Sequence, residues 1–218
     1  MTERKNKTSV LVVDYGMGNI RSIHNALVRL GCEVTTSDRA EDILSADAII
    51  LPGVGAFGEA MENIAIRNIV TPLSEAVKRG APLLGICLGM QLLADTSEEH
   101  GKKKGLSLIP GEVQRMQVTA DLRLPHIGWN TIKLSQPSSL FDGVEEGDSF
   151  YFVHSYHFVG DTRNIVATTN HGGEIVAAVQ YKNVLGVQFH PERSQNKGFI
   201  LLNNFISFAR DKISKTSK

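Results

Sequence analysis

In the stretch PLLGICLGMQLLAD, residues 82–95, Cys87 stands between an apolar run and a helix-like run, with Gly85 and Gly89 two residues away on either side. A strand that turns directly into a helix leaves one residue at a tight bend on the carboxyl edge of a sheet, and small residues two before and two after let the backbone pass. This is the spacing of a nucleophile elbow, G-x-S-x-G, with cysteine in place of serine. The run LGMQLLA that follows supplies a helix whose first amides and dipole favour a thiolate over a thiol. The amide of Leu88 is then free to meet a developing oxyanion. On this motif alone two readings stand, a nucleophile and a small buried structural thiol.

A thiolate nucleophile needs a base, and QFHPERS, residues 188–194, offers His190 followed by Pro191 and Glu192. Residues two apart on an extended chain point to the same side. Pro191 biases His190 toward extended geometry and ends the strand at the carboxyl edge where Cys87 is expected. Glu192 can then hold one imidazole nitrogen and leave the other for the thiol. Of the other histidines, His24, His100 and His171 read as solvated. His126, His154 and His157 fall in strand-like segments and read as hydrogen-bonded. No paired cysteines and no His-x-x-x-His spacing accompany them, so neither a metal site nor a cofactor is expected.

The loop LPGVGAFGEA has two readings, an ordinary connector or a second oxyanion donor presenting the amide of Gly53 or Val54. In DYGMGN, Gly16 and Gly18 lack the third glycine of G-x-G-x-x-G, which argues against dinucleotide binding.

The elements needed to position these groups are legible in the first half. SVLVVD, EVTTS, DAIILPG and PLLGI read as strands. Between them Ile20, Ile23, Leu27 and Leu30 mark an amphipathic helix closed by Gly31, and Thr71-Pro72 is expected to begin a helix ended by Gly80. Buried strands alternating with helices predict an α/β fold with an open, mostly parallel central sheet flanked by helices. From about residue 106 to 188 the runs FYFVHSYHFV, NIVATTN, EIVAAVQY and VLGVQFH follow one another between turns, which adds an antiparallel strand region in the second half. GFILLNNFISFARDKI closes the chain as a helix with Leu201, Phe205 and Phe208 on one stripe. One domain over residues 1–218 is expected, with 1–8 and 212–218 frayed.

The bulk properties exclude several classes. The chain has 218 residues, 42% hydrophobic, with 23 basic and 23 acidic side chains, so nothing draws the whole molecule to nucleic acid or an anionic membrane. No apolar run approaches the roughly 18 residues of a span and the polar start is unlike a signal peptide, which points to the cytoplasm. The two cysteines are expected as free thiols, Cys32 as a core residue.

PGVGAF, GICLGMQLL and GVQFHPERS together resemble the class I (triad) glutamine amidotransferases. DYGMGNI, LPHIGWN and YFVHSYH narrow the resemblance to the glutaminase subunits of imidazole glycerol phosphate synthase, and it covers residues 9 to about 210. The resemblance implies that Cys87 attacks the side-chain amide of L-glutamine, with His190 as base and then acid and Glu192 as its orienting partner. It implies glutamine-binding roles for Gln91 and Glu99 and for backbone groups at Gly55, Ser155 and Tyr156, and an oxyanion hole from Gly53, Val54 and Leu88. It also implies a separate (β/α)₈-barrel cyclase subunit as partner, met by Asn19, His126, Trp129, Tyr151 and Arg193. The family commonly carries lysine after HPE, where it meets a carboxylate of the barrel. Arg193 keeps that charge but changes its reach and hydrogen-bond geometry. From residue type alone Trp129 reads equally as core. Three other readings compete with this one: an amidotransferase subunit serving another pathway, a scaffold without catalysis, and a free-standing cysteine hydrolase. CLGMQ and PHIGWN oppose the first, and the presence of Cys87, His190 and Glu192 together opposes the second. The third predicts indifference to glutamine.

Overall fold

Residues 9–13 are β-branched or leucine apart from Ser9, and they form the interior strand β1 (Ser9–Val13), covered on both faces. The computed structural model describes residues 7–118 and 122–216. The expected frayed ends fall partly in residues 1–6 and 217–218, outside the described residues. After β1 come α1 (Ile20–Arg29), β2 (Glu33–Ser37), α2 (Ala40–Ser45), β3 (Ala48–Leu51), α3 (Phe57–Ile66), α4 (Val70–Lys78), β4 (Leu83–Ile86) and α5 (Leu88–Leu92). Short strands β5 (Thr96–Ser97) and β6 (Lys103–Lys104) lead to β7 (Gly111–Arg115), β8 (His126–Thr131) and β9 (Lys133–Leu134). The chain ends through β10 (Ser149–His154), β11 (Tyr156–Gly160), β12 (Ile165–Asn170), β13 (Glu174–Tyr181), β14 (Val184–Val187) and α6 (Gln195–Thr216).

The main sheet runs in the order β2-β1-β3-β4-β14-β13-β12-β9. Its first five strands are parallel neighbours, and β13, β12 and β9 add antiparallel pairs. This is the α/β architecture expected, a mostly parallel sheet with an antiparallel extension. Alternation along each strand splits the core in two. Val10, Val12, Leu84, Ile86, Leu185 and Val187 face α1 and α6, while Leu11, Val13, Leu83 and Val184 face α2 to α5.

Several local expectations change. The run FYFVHSYHFV divides at Ser155, because β10 pairs with β8 in one small sheet and β11 with β7 in another. Helix α4 starts before Thr71, at Val70, with Ile69 in helical conformation at its cap and no side-chain capping bond, so Thr71 is not the cap. Helix α3 begins inside the loop PGVGAFGEA, because the carboxylate of Glu99 accepts from Phe57 N at 2.6 Å and satisfies a first-turn amide from 42 residues away. On α6 the buried stripe is Leu201, Leu202, Phe205, Ile206 and Ala209, with Phe208 only half-buried. Cys32 is a buried free thiol.

Candidate active site

Cys87 follows β4 and precedes α5 with φ 56° and ψ −113°, a conformation L-residues rarely adopt. Its amide donates to Val187 O of β14 at 2.8 Å, and its carbonyl accepts from Met90 N at 3.0 Å, so both strand and helix hold the bend. The flanking glycines are required by contact. A Cβ on Gly85 would lie 2.6 Å from Gly89 O, and one on Gly89 would fall on Leu51 O at the end of β3. The elbow read from the spacing is therefore formed, with the thiol only 5% exposed.

The parallel register of β14 on β4 sets Val187 beside Ile86, so the residues after β14 emerge next to Cys87. His190 N donates to Tyr151 O at 2.9 Å, and the chain then turns through a 3₁₀ helix, Pro191–Arg193. His190 is extended as expected, but Glu192 lies in this turn, which corrects the extended path expected between the two. Arg193 N and Ser194 N donate back to His190 O and Pro191 O, each at 3.0 Å, bringing the carboxylate under the imidazole. The bond from His190 Nδ1 to Glu192 Oε1 is 2.9 Å, and both side chains are almost completely buried. Asn19 Nδ2 donates to the same oxygen at 3.3 Å.

With Nδ1 engaged, Nε2 is the nitrogen left for the thiol. It is buried and makes no hydrogen bond among the described residues. Burial by itself pushes His190 down, but the Cys87 thiol and the Glu192 carboxylate outweigh it and raise the imidazole to about 10. The site thus favours an imidazolium beside sulfur, the pairing a thiolate nucleophile needs.

Cys87 and His190 open into a cavity of about 360 Å³. Val54, Gly55, Leu88, Gln91, Glu99, Ser155 and Tyr156 line it. Gly53 is not among these lining residues. It packs beneath the elbow, where a Cβ would come within 2.7 Å of both Gly89 N and Tyr15 Oη. Tyr15 in turn donates to Pro52 O at 2.8 Å and so anchors the loop before Gly53. Gln91 Nε2 donates to Tyr156 O at 2.8 Å and to Gln188 Oε1 at 3.0 Å. Pro125, Val153, His154 and Gln188 are site residues that the sequence reading did not mark as such. The first three line the cavity, and Gln188 Nε2 lies 3.8 Å from Cys87 Sγ. A polar residue just past a strand at 0% exposure, as Gln188 is, carries no local signal.

The profile of the family Glutamine amidotransferase class-I matches residues 11–208. The chain belongs to the class-I glutamine amidotransferases. "Imidazole glycerol phosphate synthase subunit HisH" of Moorella thermoacetica is 46% identical over 202 residues, 92% of this chain and 95% of that relative. The protein of the same name from Aquifex aeolicus is 45% identical over 197 residues, 89% of this chain and 94% of its own length. Within the family the chain belongs to this HisH group. Among solved structures, one described as a glutamine amidotransferase superposes with a TM-score of 0.72 at 22% identity, covering 92% of this chain and 98% of that one. A chain of the PurLQS structure from Thermotoga maritima gives 0.70 at 22% identity, covering 93% and 99%. At that identity the likeness is one of fold.

Behind the amidotransferase pocket lies a histidine network. His154 Nδ1 bonds Tyr156 O at 2.9 Å, and its Nε2 meets His126 Nδ1 at 3.1 Å. His126 Nε2 continues to Asn130 at 3.1 Å, and its ring lies against both Phe152 and His171. His171, partly exposed in its turn, also stacks on His126. One expectation changes here. His126, only 4% exposed, faces inward on β8, so its side chain is not on a docking surface. His157 Nδ1 is buried without a hydrogen bond among the described residues, which also departs from expectation.

Burial, aided by the neighbouring histidines, depresses His126 to about 4 and His154 to about 3. Between these values and the unfolded value near 6.5 the unfolded chain binds protons that the native site refuses, so stability rises with pH across that window. His190 contributes nothing there, being protonated in both states. Thermal midpoints should fall as the pH drops from about 7 to about 4, and less steeply for His126→Gln than for the parent. Equal slopes in a pH series of melting curves would refute this assignment.

The outer face of the β8–β10 hairpin is exposed. Ile127 and Trp129 are 60% and 49% exposed, and register places Tyr151 opposite Trp129. The Arg193 guanidinium lies 4.2 Å from the centroid of the Tyr151 ring. Trp129 is thus a surface residue and not part of the core.

Proposed function

We propose that Cys87, His190 and Glu192 are the machinery with which this HisH-group amidotransferase hydrolyses L-glutamine. In this reading the Cys87 thiolate attacks the side-chain amide carbon, and the oxyanion meets amides of Leu88 and of the Gly53–Val54 loop. The His190 imidazolium protonates the departing nitrogen, ammonia leaves, and a γ-glutamyl thioester remains. Neutral His190 then takes a proton from water, the thioester is hydrolysed to glutamate, and the thiol is restored. Gly55, Gln91, Glu99, Ser155 and Tyr156 hold the amino-acid end of the substrate. The observation that carries this reading is the buried His190–Glu192 pair delivered by β14 to the edge where the Cys87 elbow sits.

The same reading makes the chain, one domain over residues 1–218, the ammonia-supplying subunit of a cytoplasmic imidazole glycerol phosphate synthase in histidine biosynthesis. Ammonia passes to a separate (β/α)₈-barrel cyclase subunit, which yields imidazole glycerol phosphate and an aminoimidazole carboxamide ribonucleotide. The exposed face bearing Trp129, Tyr151 and Arg193, continuous with the backbone that holds His190, supports docking beside the site. Asn19, the remaining residue of the proposed interface, donates to Glu192 Oε1.

Glutamate release should be slow for the chain alone and rise with a cyclase barrel and its ribonucleotide. Equal rates with and without the barrel would sink the partner reading. No release in any mixture would sink the catalytic one.

A further inference from the structure

Gln188 is a buried polar group that the reaction outlined above leaves without a task. It follows β14 directly, its amide donates to Ala177 O at 2.8 Å, and none of the residue reaches solvent. Its carboxamide makes two contacts of opposite sense. Oε1 accepts from Gln91 Nε2 at 3.0 Å, and Nε2 points at Cys87 Sγ from 3.8 Å. The orientation is fixed by its neighbours. Gln91 Nε2 spends its two protons on Tyr156 O and on Gln188, so an oxygen must face Gln91 and the NH₂ group must face sulfur.

The sulfur also lies 3.9 Å from Val153 O. A carbonyl can only accept, so this contact favours the protonated thiol. The amide of Gln188 can only donate, so its contact strengthens when sulfur becomes an anion, because hydrogen bonds to charged acceptors are about twice as strong as neutral ones. The two contacts therefore pull the thiol in opposite directions, with His190 on the side of the anion. Tyr15, whose phenol is pushed up by burial and then by Cys87, stays neutral at the floor of the site.

We propose that Gln188 is a catalytic residue that donates a hydrogen bond from Nε2 to the Cys87 thiolate and is held in that orientation by Gln91. The glutamine-binding wall and the nucleophile are then one hydrogen-bonded unit, Tyr156–Gln91–Gln188–Cys87. This rests on the reading of Cys87 as the nucleophile.

Two variants separate the donor from the filler. Gln188→Met keeps length and removes both polar functions, whereas Gln188→Glu keeps an acceptor for Gln91 and removes the amide donor. The rate of Cys87 carboxamidomethylation by iodoacetamide is measured against pH on the whole chain. Intact mass follows the product, and Cys87→Ala serves as blank for Cys32. With the barrel partner present, kcat and KM for glutamate release are measured separately. In both variants alkylation near pH 7 should slow by about tenfold and its pH midpoint should move up, the scale of one lost hydrogen bond to a charged group. The same variants should lose kcat with little change in KM.

Alkylation profiles of the folded variants that superimpose on the parent would overturn the proposal. So would a normal profile for Gln188→Glu beside an impaired Gln188→Met, since acceptance from Gln91 would then be the whole role. If Gln188→Met does not fold, Gln188→Leu takes its place, because the carboxylate of Gln188→Glu would itself disfavour a thiolate. The alkylation assay uses neither glutamine nor partner. An unchanged Cys87→Ala glutaminase would therefore refute the underlying reading separately from the role of Gln188.

Discussion

Replacing Cys87 by alanine is expected to remove glutamate release, with a fall on the order of 10⁶-fold, the scale seen when a hydrolase loses its nucleophile. The size follows from the route. Without sulfur no thioester forms, and water would have to attack an unactivated amide in a pocket shaped around the elbow. Measurable turnover by a clean preparation would mean that His190 activates water directly. A second readout comes from the imidazole. Its pKa of about 10 is raised by Cys87 and by Glu192 against the lowering effect of burial, so removing the thiol should lower its midpoint. A group raised from about 6.5 to about 10 contributes stability that is complete below 6.5 and is lost as the pH climbs to 10. The alkaline loss of stability should therefore end at a lower pH in Cys87→Ala than in the parent. Titration of the His190 ring by NMR checks the shift directly, and an unmoved midpoint would contradict the influence of Cys87 on the imidazole.

The largest loss of stability is expected from Gly89→Ala. A Cβ at this position falls on Leu51 O, with Pro52 C 3.2 Å away, and both are backbone atoms that cannot swing aside. Either β3 or α5 must shift, and with them the Cys87 bend. The cost should reach or exceed the upper end of the usual 1–3 kcal/mol for overpacking, a drop in Tm of roughly 6–12 °C for a chain of this size. Gly173→Ala is the control, since nothing lies within 4 Å of its Cβ position. A Gly89→Ala melting curve that matched this control would show that the elbow relaxes at no cost.

What could be read before the fold was known is local. The glycines around Cys87 and the Pro between His190 and Glu192 announce themselves over five residues or fewer, and the alternating strands and helices announce a parallel sheet. What could not be read depends on partners far along the chain. Nothing local tells that Glu99 closes the start of α3, or that Gln188 finds Gln91 across 97 residues. The alternation of β8 separates His126 from Trp129 but not water from core, because that choice is made by Phe152 and His171 packing on one side. The resemblance placed His126 at an interface, and those two rings bury it. His190 and Glu192 were correctly paired for an incorrect geometric reason, since a 3₁₀ turn and an extended strand can both bring residues two apart together.

The insertion of β14 between β4 and β13 has a consequence for timing. The thiol is made early in synthesis, while the carbonyl that holds its bend and the imidazole that would ionise it are made 100 residues later or more. Until β14 docks, β4 is an open edge and Cys87 an unarmed thiol on an unfinished chain. Assembly of the sheet and the meeting of Cys87 with His190 are one event, so on the proposed reading a nascent or partly unfolded molecule hydrolyses no glutamine. Any opening that releases β14 parts the two groups, and reclosure brings them together again.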